Sequence, residues 1–397
     1  MRVDPYPFPL SRRTFLKGTA AGLLAGSAAW LRPEWLHGRE IGKQLNIHTE
    51  MPMNAEPYLG ALVEDWITPL EFFYVRSHGT LPKLDERQFR LRVEGLVEEP
   101  ITLSLVELKE RFEAASAVAT LTCAGNRRSE FNPSKAEGVQ WEPGAIGNAR
   151  WKGAKLSDLL KKAKLKEGAK HVWFEGLDQI DHKGEQIHFG GSIPLDKAMQ
   201  DTPSAPGTML AWEMNEQPLD PHHGFPLRTV VPGYIGARSV KWLGKVVVSD
   251  RPSPNHFLQG AYKLVTETSE AAFERAEPLY EYRLNAAICE PAADMELKSG
   301  RVTVRGYALA PGDPERSIAK VEVSADGGRS WTAAELIPDT ADFAWRLWKA
   351  RVQVSPGTKH LIARATDSSG QTMPESVPWN AKGYMYNGWH KLPVKVG

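Results

Sequence analysis

One cysteine of this chain lies in a setting that suits metal binding or nucleophilic chemistry. Cys123 is one of two cysteines among 397 residues, and it stands in the run LTCAGNRRSE, residues 121–130. A thiolate binds metals and attacks electrophiles, and nearby positive charges favour the thiolate over the thiol. Arg127 and Arg128 therefore predict a thiolate beside an anion site. The alternative is a buried structural cysteine with surface arginines.

The elements around Cys123 are predicted from local patterns. The apolar, partly β-branched run 115–122 predicts a strand that ends at Cys123, and the Gly-Asn pair after it predicts a turn. Ser104 and Glu107 form a capping box, so a helix is predicted from there through Arg111. Aromatic or alternating patterns predict further strands over 71–79, 89–96 and 171–178.

Length and composition indicate two soluble domains. A chain of 397 residues exceeds one ordinary core. Its 42% hydrophobic and 24% charged residues, with a net charge of +1, argue against a nucleic-acid or anionic-membrane partner. Short strands and helices interleave up to Asp250, which predicts an α+β domain on antiparallel or mixed sheets. Strand-like runs between 301 and 365 predict an all-β immunoglobulin-like sandwich.

The N-terminus carries the pattern of an export signal. The run SRRTFLK, residues 11–17, precedes a weakly apolar stretch over 18–31, shorter than the roughly 20 residues that span a bilayer. Such a stretch is typical of a signal peptide, and the paired Arg12 and Arg13 resemble a twin-arginine signal. We therefore expect residues 1–31 to direct the folded protein to the periplasm, without a stable membrane anchor. The alternative is a basic amphipathic helix.

A second set of polar residues could bind anions. The run PHHGFPLR, residues 221–228, contains two histidines whose side chains point to opposite sides of an extended segment. Arg228 offers a planar fork of donors that suits phosphate. Asp178, Lys241 and the run 76–78 could add to the same pocket. Taken singly, each residue is better explained as a solvated or capping residue.

Several stretches in order resemble the sulfite oxidase family of molybdenum-cofactor enzymes. They are CAGNRRSE (123–130), GAIGNARWKGA (144–154), WEMNEQPL (212–219), HGFPLR (223–228), GARSVKWL (236–243), and the WN and WH pairs at 379–380 and 389–390. The resemblance extends over roughly 56–397. It implies an α+β molybdopterin-binding domain over 54–280 and an immunoglobulin-like dimerisation domain over 285–397, hence a homodimer.

The resemblance also implies roles for individual residues. Cys123 matches the thiolate that binds molybdenum beside the two dithiolene sulfurs of molybdopterin, a soft ligand for such a metal. The matched catalytic positions are Arg76, Arg128, Trp141, Tyr262 and Lys382. The matched cofactor-binding positions are Tyr74, Val75, Arg76, Ser77, His78, Asp178, His223, Arg228, Ser239, Val240 and Lys241.

The implied activity is the oxidation of sulfite to sulfate, with the electrons passed to a separate acceptor such as a c-type cytochrome. We expect no haem, since the sequence has no C-x-x-C-H motif and nothing that resembles the family's optional haem-binding domain. Lys382 stands where animal and plant members have arginine, which keeps the charge but loses the bidentate fork.

Two other hypotheses are compatible with these residues. One is an enzyme of the same fold that acts on nitrate or sulfane sulfur; the other is a binding protein without catalysis. Nitrate reductases of this fold have asparagine in place of the active-site tyrosine, so Tyr262 favours sulfite. The intact Cys123 argues against a binding protein, which would not need a metal ligand.

Overall fold

The computed structural model describes residues 45–132, 134–201 and 207–397, which belong to one compact unit. The predicted signal peptide, residues 1–31, lies outside this part. Among the described residues, no helix combines the length and the apolarity needed to cross a bilayer.

The first half of the molecule alternates strands with short helices, as predicted for an α+β domain. In chain order these are β1 Leu45–Thr49, β2 Asn54–Pro57, β3 Val75–Arg76, β4 Leu91–Gly95, β5 Ile101–Leu103, α1 Leu105–Arg111, β6 Ala114–Thr122, β7 Ile146–Lys155, α2 Leu156–Ala163, β8 His171–Gly176, β9 Ile180–His182, β10 Glu185–Ile187, β11 Gly190–Pro194, α3 Leu195–Met199, β12 Met209–Met214, β13 Gln217–Pro218, β14 Arg228–Val230, β15 Leu243–Ser249 and α4 Glu270–Arg275. A π-helical turn, Phe257–Ala261, precedes Tyr262.

Two larger sheets position the polar residues. One is mixed, with the order β11-β8-β15-β4-β5; β15 runs parallel to β4 and antiparallel to β8. The other is antiparallel, with the order β13-β12-β7-β6, and β14 also pairs with β12. Strands β1 to β3 and the hairpin β9-β10 form smaller sheets. The prediction of mixed or antiparallel sheets is confirmed.

The predicted elements agree with the structure where the prediction rests on residues close together in the sequence. The Ser104 hydroxyl accepts a hydrogen bond from Glu107 N at 3.2 Å, and Glu107 Oε2 accepts one from Ser104 N at 2.9 Å, so α1 begins at the predicted capping box. The predicted strand before Cys123 is β6. The predicted strand over 71–79 is largely wrong: β3 has two residues and follows a 3-10 turn at Leu70–Phe72. The aromatic residues there fill the core instead of extending a strand.

The second half is the predicted all-β sandwich. Its strands are β16 Asn285–Glu290, β17 Glu296–Leu297, β18 Gly300–Leu309, β19 Ile318–Ser324, β20 Thr332–Ala333, β21 Glu335–Leu336, β22 Arg346–Val354, β23 His360–Asp367, β24 His390–Pro393 and β25 Lys395–Val396. Two four-stranded sheets, β16-β18-β22-β21 and β20-β19-β23-β24, enclose its core, and β17 pairs with β25.

The two halves share a hydrophobic cluster as well as having cores of their own. Buried residues from both sides, including Ala124 and Ile235 from the first half and Tyr307 from the second, pack in this cluster. Trp66 Nε1 donates to the carbonyl oxygen of Trp345 at 3.1 Å, and Trp345 Nε1 donates to that of Trp66 at 3.0 Å. The sandwich is thus packed directly against the region that follows β6.

Candidate active site

The turn that carries Cys123 is held by hydrogen bonds from both halves of the molecule. Cys123 N donates to the carbonyl of Ala145 at 2.9 Å, and Cys123 Sγ accepts from Gly125 N at 3.4 Å. Asn126 Oδ1 accepts from Ala145 N at 3.1 Å, while its Nδ2 donates to the hydroxyl of Tyr307 in the sandwich at 3.0 Å. The sulfur therefore has a fixed position at the end of β6.

A cavity of about 680 Å³, measured with its open mouth, lies beside this sulfur. Most of the residues predicted for the site line it, although they are far apart in sequence. They are Tyr74, Arg76, Ser77, His78, Cys123, Asp178, His223, Arg228, Ser239, Lys241 and Tyr262. His222, the other histidine of the run 221–228, also lines it, as do Phe73, Phe189 and Trp242, which were not singled out from the sequence.

Three of the lining side chains form a hydrogen-bonded series. Arg76 Nη2 lies 3.2 Å from His78 Nδ1, and His78 Nε2 lies 2.8 Å from the hydroxyl of Tyr262. Because arginine only donates, His78 Nδ1 accepts and Nε2 carries the proton that it donates to the tyrosine oxygen. Burial, assisted by the charge of Arg76, lowers the pKa of His78 well below its usual range, so the ring is neutral. The proton of the Tyr262 hydroxyl is then available to a ligand.

Tyr262 itself remains protonated at neutral pH. Burial raises the pKa of Tyr262, and the opposing charges of Arg76 and Arg128 do not reverse this effect. Arg76 is fixed in turn, since its Nη1 donates to Asn54 Oδ1 at 2.9 Å and to the Ser77 carbonyl at 2.6 Å. This series thus presents a guanidinium and a neutral hydroxyl donor, a combination that suits an oxyanion.

Another group of lining residues contains two cations, Lys241 and the buried Arg228. Lys241 Nζ donates to Ser77 Oγ at 2.9 Å and to the His222 carbonyl at 2.8 Å. Arg228 Nη1 donates to the carbonyl of His223 at 2.8 Å, and its Nη2 to that of Ser239 at 3.2 Å. These acceptors are neutral, and among the residues that the structure describes neither cation forms an ion pair; Asp178 and Asp220 act on Lys241 only through their more distant charges. Burial, followed by the charge of Arg228, lowers the pKa of Lys241 to about 7.

His223 supplies an independent sign that a ligand belongs beside these two cations. Both of its ring nitrogens are buried and have no hydrogen-bond partner among the described residues. Burial, with Lys241 as the next cause, lowers the pKa of His223 to about 3, so the ring is neutral and has one donor and one acceptor to offer. Unpaired buried polar atoms beside two cations fit a phosphate group.

These residues fit a molybdenum–molybdopterin cofactor. Cys123 would supply one soft sulfur ligand, and Arg228, Lys241 and His223 would hold the phosphate end. In the part of the chain that the structure describes, no group of three or more His, Cys, Asp or Glu side chains could hold a metal ion. The dithiolene of molybdopterin would supply further sulfur ligands beside Cys123.

Arg127 is not part of an anion site. Its guanidinium is fully buried and donates to both carboxylate oxygens of Glu130 at 2.7 Å each, and Nη1 donates to Asn285 Oδ1 at 2.8 Å. The expectation that both arginines after Cys123 face an anion is thus wrong for Arg127, because its charge is already paired and its side chain contacts the sandwich.

Arg128 belongs to the turn after Cys123, but its side chain does not line the cavity. Its Nε donates to the Lys382 carbonyl at 2.8 Å and its Nη1 to the Val139 carbonyl at 2.7 Å. Both acceptors are neutral backbone groups, so the guanidinium still adds positive charge near the cavity. Its predicted contact with a substrate anion stays a prediction.

Two other predicted catalytic residues do not line the cavity. Lys382 Nζ pairs with Glu137 Oε2 at 3.1 Å, and its side chain is 32% exposed. The expected place of Lys382 in the anion pocket is therefore corrected: its charge is paired near the surface. Trp141 is fully buried in the hydrophobic cluster that contains Cys123, where His48 packs edge-on against it at 5.0 Å.

Val75 and Val240 were predicted to contact the cofactor, but both are buried in the core and neither lines the cavity. Val240 N donates to Thr229 Oγ1 at 2.7 Å, and the Val240 carbonyl accepts from Thr229 N at 2.9 Å. Its backbone groups are thus already paired. Val240 fixes the positions of its neighbours Ser239 and Lys241, which do line the cavity.

Sequence reasoning missed two residues that support the site. Asn54 holds Arg76 from 22 positions away in the sequence. The buried carboxylate of Glu56 accepts from Glu142 N at 2.8 Å and from Gly144 N at 2.9 Å, and so fixes the loop that enters β7. No local pattern identifies either residue, because each acts through distant partners.

The lowered pKa of Lys241 makes anion binding pH-dependent. Below about pH 7 the amine is protonated and attracts an anion; above it the charge is lost. We expect the affinity of the cofactor-free protein for sulfate, which keeps its charge in this range, to fall by up to about tenfold per pH unit above pH 7. Isothermal titration calorimetry at a series of pH values measures this. Lys241→Met is the control, and an equal pH dependence in that variant contradicts the assignment.

Fold and site together define a molybdopterin-binding oxidoreductase. Residues 78–257 match the family model of the oxidoreductase molybdopterin binding domain, and 276–397 match that of the Mo-co oxidoreductase dimerisation domain. Sulfite oxidase of Gallus gallus is 40% identical over 361 residues, which cover 87% of this chain and 77% of that protein. The chain belongs to the sulfite oxidase family.

Further comparisons agree with this family. Sulfite oxidase of Arabidopsis thaliana is 35% identical over 378 residues, 89% of this chain and 94% of that protein. The chain spans only 66% of the length of the rat and mouse sulfite oxidases. The sulfane dehydrogenase SoxCD from Paracoccus pantotrophus has a similar structure, with a TM-score of 0.75 at 25% identity over 94% of this chain and 96% of that one. The chain is thus a molybdenum-dependent oxidoreductase.

Proposed function

We propose that this enzyme oxidises sulfite to sulfate. The observation that carries the proposal is the series Arg76, His78 and Tyr262, which presents a guanidinium and a neutral hydroxyl donor to the cavity beside Cys123. A small oxyanion is the ligand that this pair suits. The relatives named sulfite oxidase point to the same substrate.

The protein's own part in the reaction is to bind, orient and hold protons. The molybdenum cofactor, when bound, supplies the oxygen-atom transfer and accepts the two electrons. Arg76 attracts the sulfite dianion and the sulfate product, and the Tyr262 hydroxyl donates to one of their oxygens. His78 donates to the oxygen of Tyr262 and so directs the proton of that hydroxyl towards the ligand. The high pKa of Tyr262 and the low pKa of His78 keep this arrangement unchanged near neutral pH.

The activity is tested on molybdenum-loaded protein with sulfite as the electron donor and ferricyanide or cytochrome c as the acceptor. We expect sulfite-dependent reduction of the acceptor and formation of one sulfate for each pair of electrons. Thiosulfate as a donor and nitrate as an oxidant are the control substrates. Turnover of either one without turnover of sulfite contradicts the proposal.

We further propose that the electrons leave to a separate protein, a c-type cytochrome, and that the enzyme is a homodimer without haem. The two cysteines, Cys123 and Cys289, are too far apart in sequence for the C-x-x-C-H motif, which argues against covalently attached haem. The match of residues 276–397 to a dimerisation domain supports association through the sandwich.

The proposed location is the periplasm, reached through the twin-arginine signal in residues 1–31. Changing Arg12 and Arg13 together to lysine is expected to stop export while the enzyme keeps its activity, because the export receptor reads the arginine pair and the pair lies outside the catalytic domain. Fractionation with an activity assay on each fraction measures this. Periplasmic enzyme in the double variant contradicts the signal assignment.

The position of Lys382 predicts a small effect on substrate affinity. Lys382→Met should change KM for sulfite by less than about threefold, because exposed ion pairs contribute only about 0.2–1 kcal/mol. Steady-state kinetics of the variant measures this, with Lys391→Met, another surface lysine paired with a glutamate, as the matched control. A tenfold rise of KM for Lys382→Met without a rise for Lys391→Met would show that Lys382 contributes to the anion pocket.

A further inference from the structure

A short segment of the second domain, residues 380–386, forms hydrogen bonds to the chain on two sides of the active site. Asn380 Oδ1 accepts from Tyr384 N at 2.9 Å, and its Nδ2 donates to the Tyr384 carbonyl at 2.9 Å. Ala381 N donates to the Val265 carbonyl at 2.8 Å, and Met385 N donates to the Ala124 carbonyl at 2.7 Å. The segment thus joins the turn after Cys123 to the chain that follows Tyr262.

The side chain of Tyr384 contacts both Tyr262, which lines the cavity, and Arg128, which lies close to it. Its buried ring stacks on that of Tyr262, with 5.2 Å between the ring centroids and 12° between the planes. The guanidinium carbon of Arg128 lies 5.2 Å from the centroid of the Tyr384 ring. The preceding Gly383 has a φ of +57°, and a Cβ there would lie 2.6 Å from Arg128 Cγ. The chain therefore passes close enough to Arg128 to require glycine.

We propose that Tyr384 is a positioning residue for the oxyanion site, which acts through Tyr262 and Arg128. This inference rests on the proposed oxidation of sulfite. The hydroxyl of Tyr262 must accept from His78 and donate to the ligand, so its ring has little freedom to turn. Tyr384 restricts the ring from one face, and it gives the Arg128 guanidinium an aromatic surface in addition to two backbone carbonyls.

The test compares Tyr384→Phe, which keeps the stacked ring, with Tyr384→Leu, which keeps an apolar side chain but removes the ring. Per molybdenum bound, we expect kcat/KM for sulfite within about twofold of wild type for Tyr384→Phe and about tenfold lower for Tyr384→Leu, equivalent to about 1.4 kcal/mol. Sulfate affinity, measured by calorimetry on the resting holoenzyme, should fall in parallel. If Tyr384→Leu does not take up the cofactor, Tyr384→Met provides the same comparison.

Tyr386→Leu is the matched control from the same segment. The ring of Tyr386 packs on Phe131 at 4.9 Å and on the buried Arg127 at 4.9 Å, so its loss should lower the melting temperature with kcat/KM kept within about threefold. If Tyr384 had only a structural role, Tyr384→Leu would likewise lower the melting temperature and keep kcat/KM within about threefold. In addition, Tyr384→Leu should lower kcat/KM by a smaller factor in a Tyr262→Phe background than in the wild type. Part of the loss caused by Tyr384→Leu acts through the hydroxyl of Tyr262, which that background lacks.

The possible failures can be told apart. A molybdenum-loaded wild type without sulfite activity overturns the proposed function, and the role of Tyr384 with it. An active wild type with unchanged kcat/KM and unchanged sulfate affinity in Tyr384→Leu overturns the positioning role alone. An equal loss in Tyr384→Phe and Tyr384→Leu also overturns it, since the ring would then not be the cause.

Discussion

Cys123→Ser is expected to reduce sulfite oxidation to less than about 2% of wild type, because a neutral serine hydroxyl is a poor replacement for a soft thiolate ligand. The fold and the bound pterin should persist. The turn is held mainly by backbone bonds and by Asn126, and the proposed phosphate contacts at Arg228 and Lys241 do not involve the sulfur. The measurements are ferricyanide reduction with sulfite, molybdenum by mass spectrometry, and pterin by fluorescence after oxidation.

Cys289→Ala is the matched control for this variant. Cys289 is also buried, and burial raises the pKa of its thiol, so it stays neutral within the cluster shared by the two halves. Its replacement should lower stability slightly and leave activity per molybdenum unchanged. If the Cys123→Ser protein retains molybdenum and more than a few per cent of the activity, Cys123 is not the essential metal ligand.

Tyr262→Phe is expected to lower kcat/KM for sulfite by about 10- to 150-fold, since a hydrogen bond to a charged group contributes about 1.5–3 kcal/mol. The change removes the donor to the oxyanion and also leaves the Nε2 proton of His78 without its acceptor. The ring, and with it the stack on Tyr384, is retained. Steady-state kinetics with wild-type molybdenum loading separates this effect from cofactor loss.

Tyr280→Phe is the control for Tyr262→Phe. Tyr280 is a partly buried tyrosine of the same region. The guanidinium of Arg238 lies 5.4 Å from the centroid of its ring and 5.8 Å from that of Tyr262, but Tyr280 does not line the Cys123 cavity. It should retain kcat/KM within about twofold, since it offers no donor to the substrate. Equal kinetics for Tyr262→Phe and the wild type would remove Tyr262 from substrate binding and leave Arg76 as the main anion contact.

The sequence was sufficient for features that depend on near neighbours or on the family pattern. The capping box at Ser104 and the strand before Cys123 follow from residues within a few positions of one another. The residues that line the cavity were found through the resemblance, because their sequence positions alone do not show that they converge. The two-domain architecture was predicted from the change after Asp250, where interleaved strand and helix patterns give way to strand patterns alone.

The sequence was insufficient where side-chain direction decides the role. Arg127 and Arg128 are adjacent and chemically identical, yet Arg127 has a φ of 66° and pairs with Glu130, while Arg128 turns towards Tyr384. Lys382 was expected to point inward, but the nearby carboxylate of Glu137 offers a partner near the surface. Such choices depend on groups distant in sequence, which no local pattern contains.

The reciprocal hydrogen bonds of Trp66 and Trp345 bear on how such a chain can evolve. Each indole N–H is satisfied by a backbone carbonyl of the other half, and aromatic surface from both halves is buried around them. Recombination that joined the first half to a different domain would leave these indole donors without acceptors and would expose the buried aromatic surface. Exchange of the sandwich for another β domain therefore keeps these donors paired only where the new domain offers carbonyls at the same places, and we expect substitutions on one side of the contact to be matched by substitutions on the other.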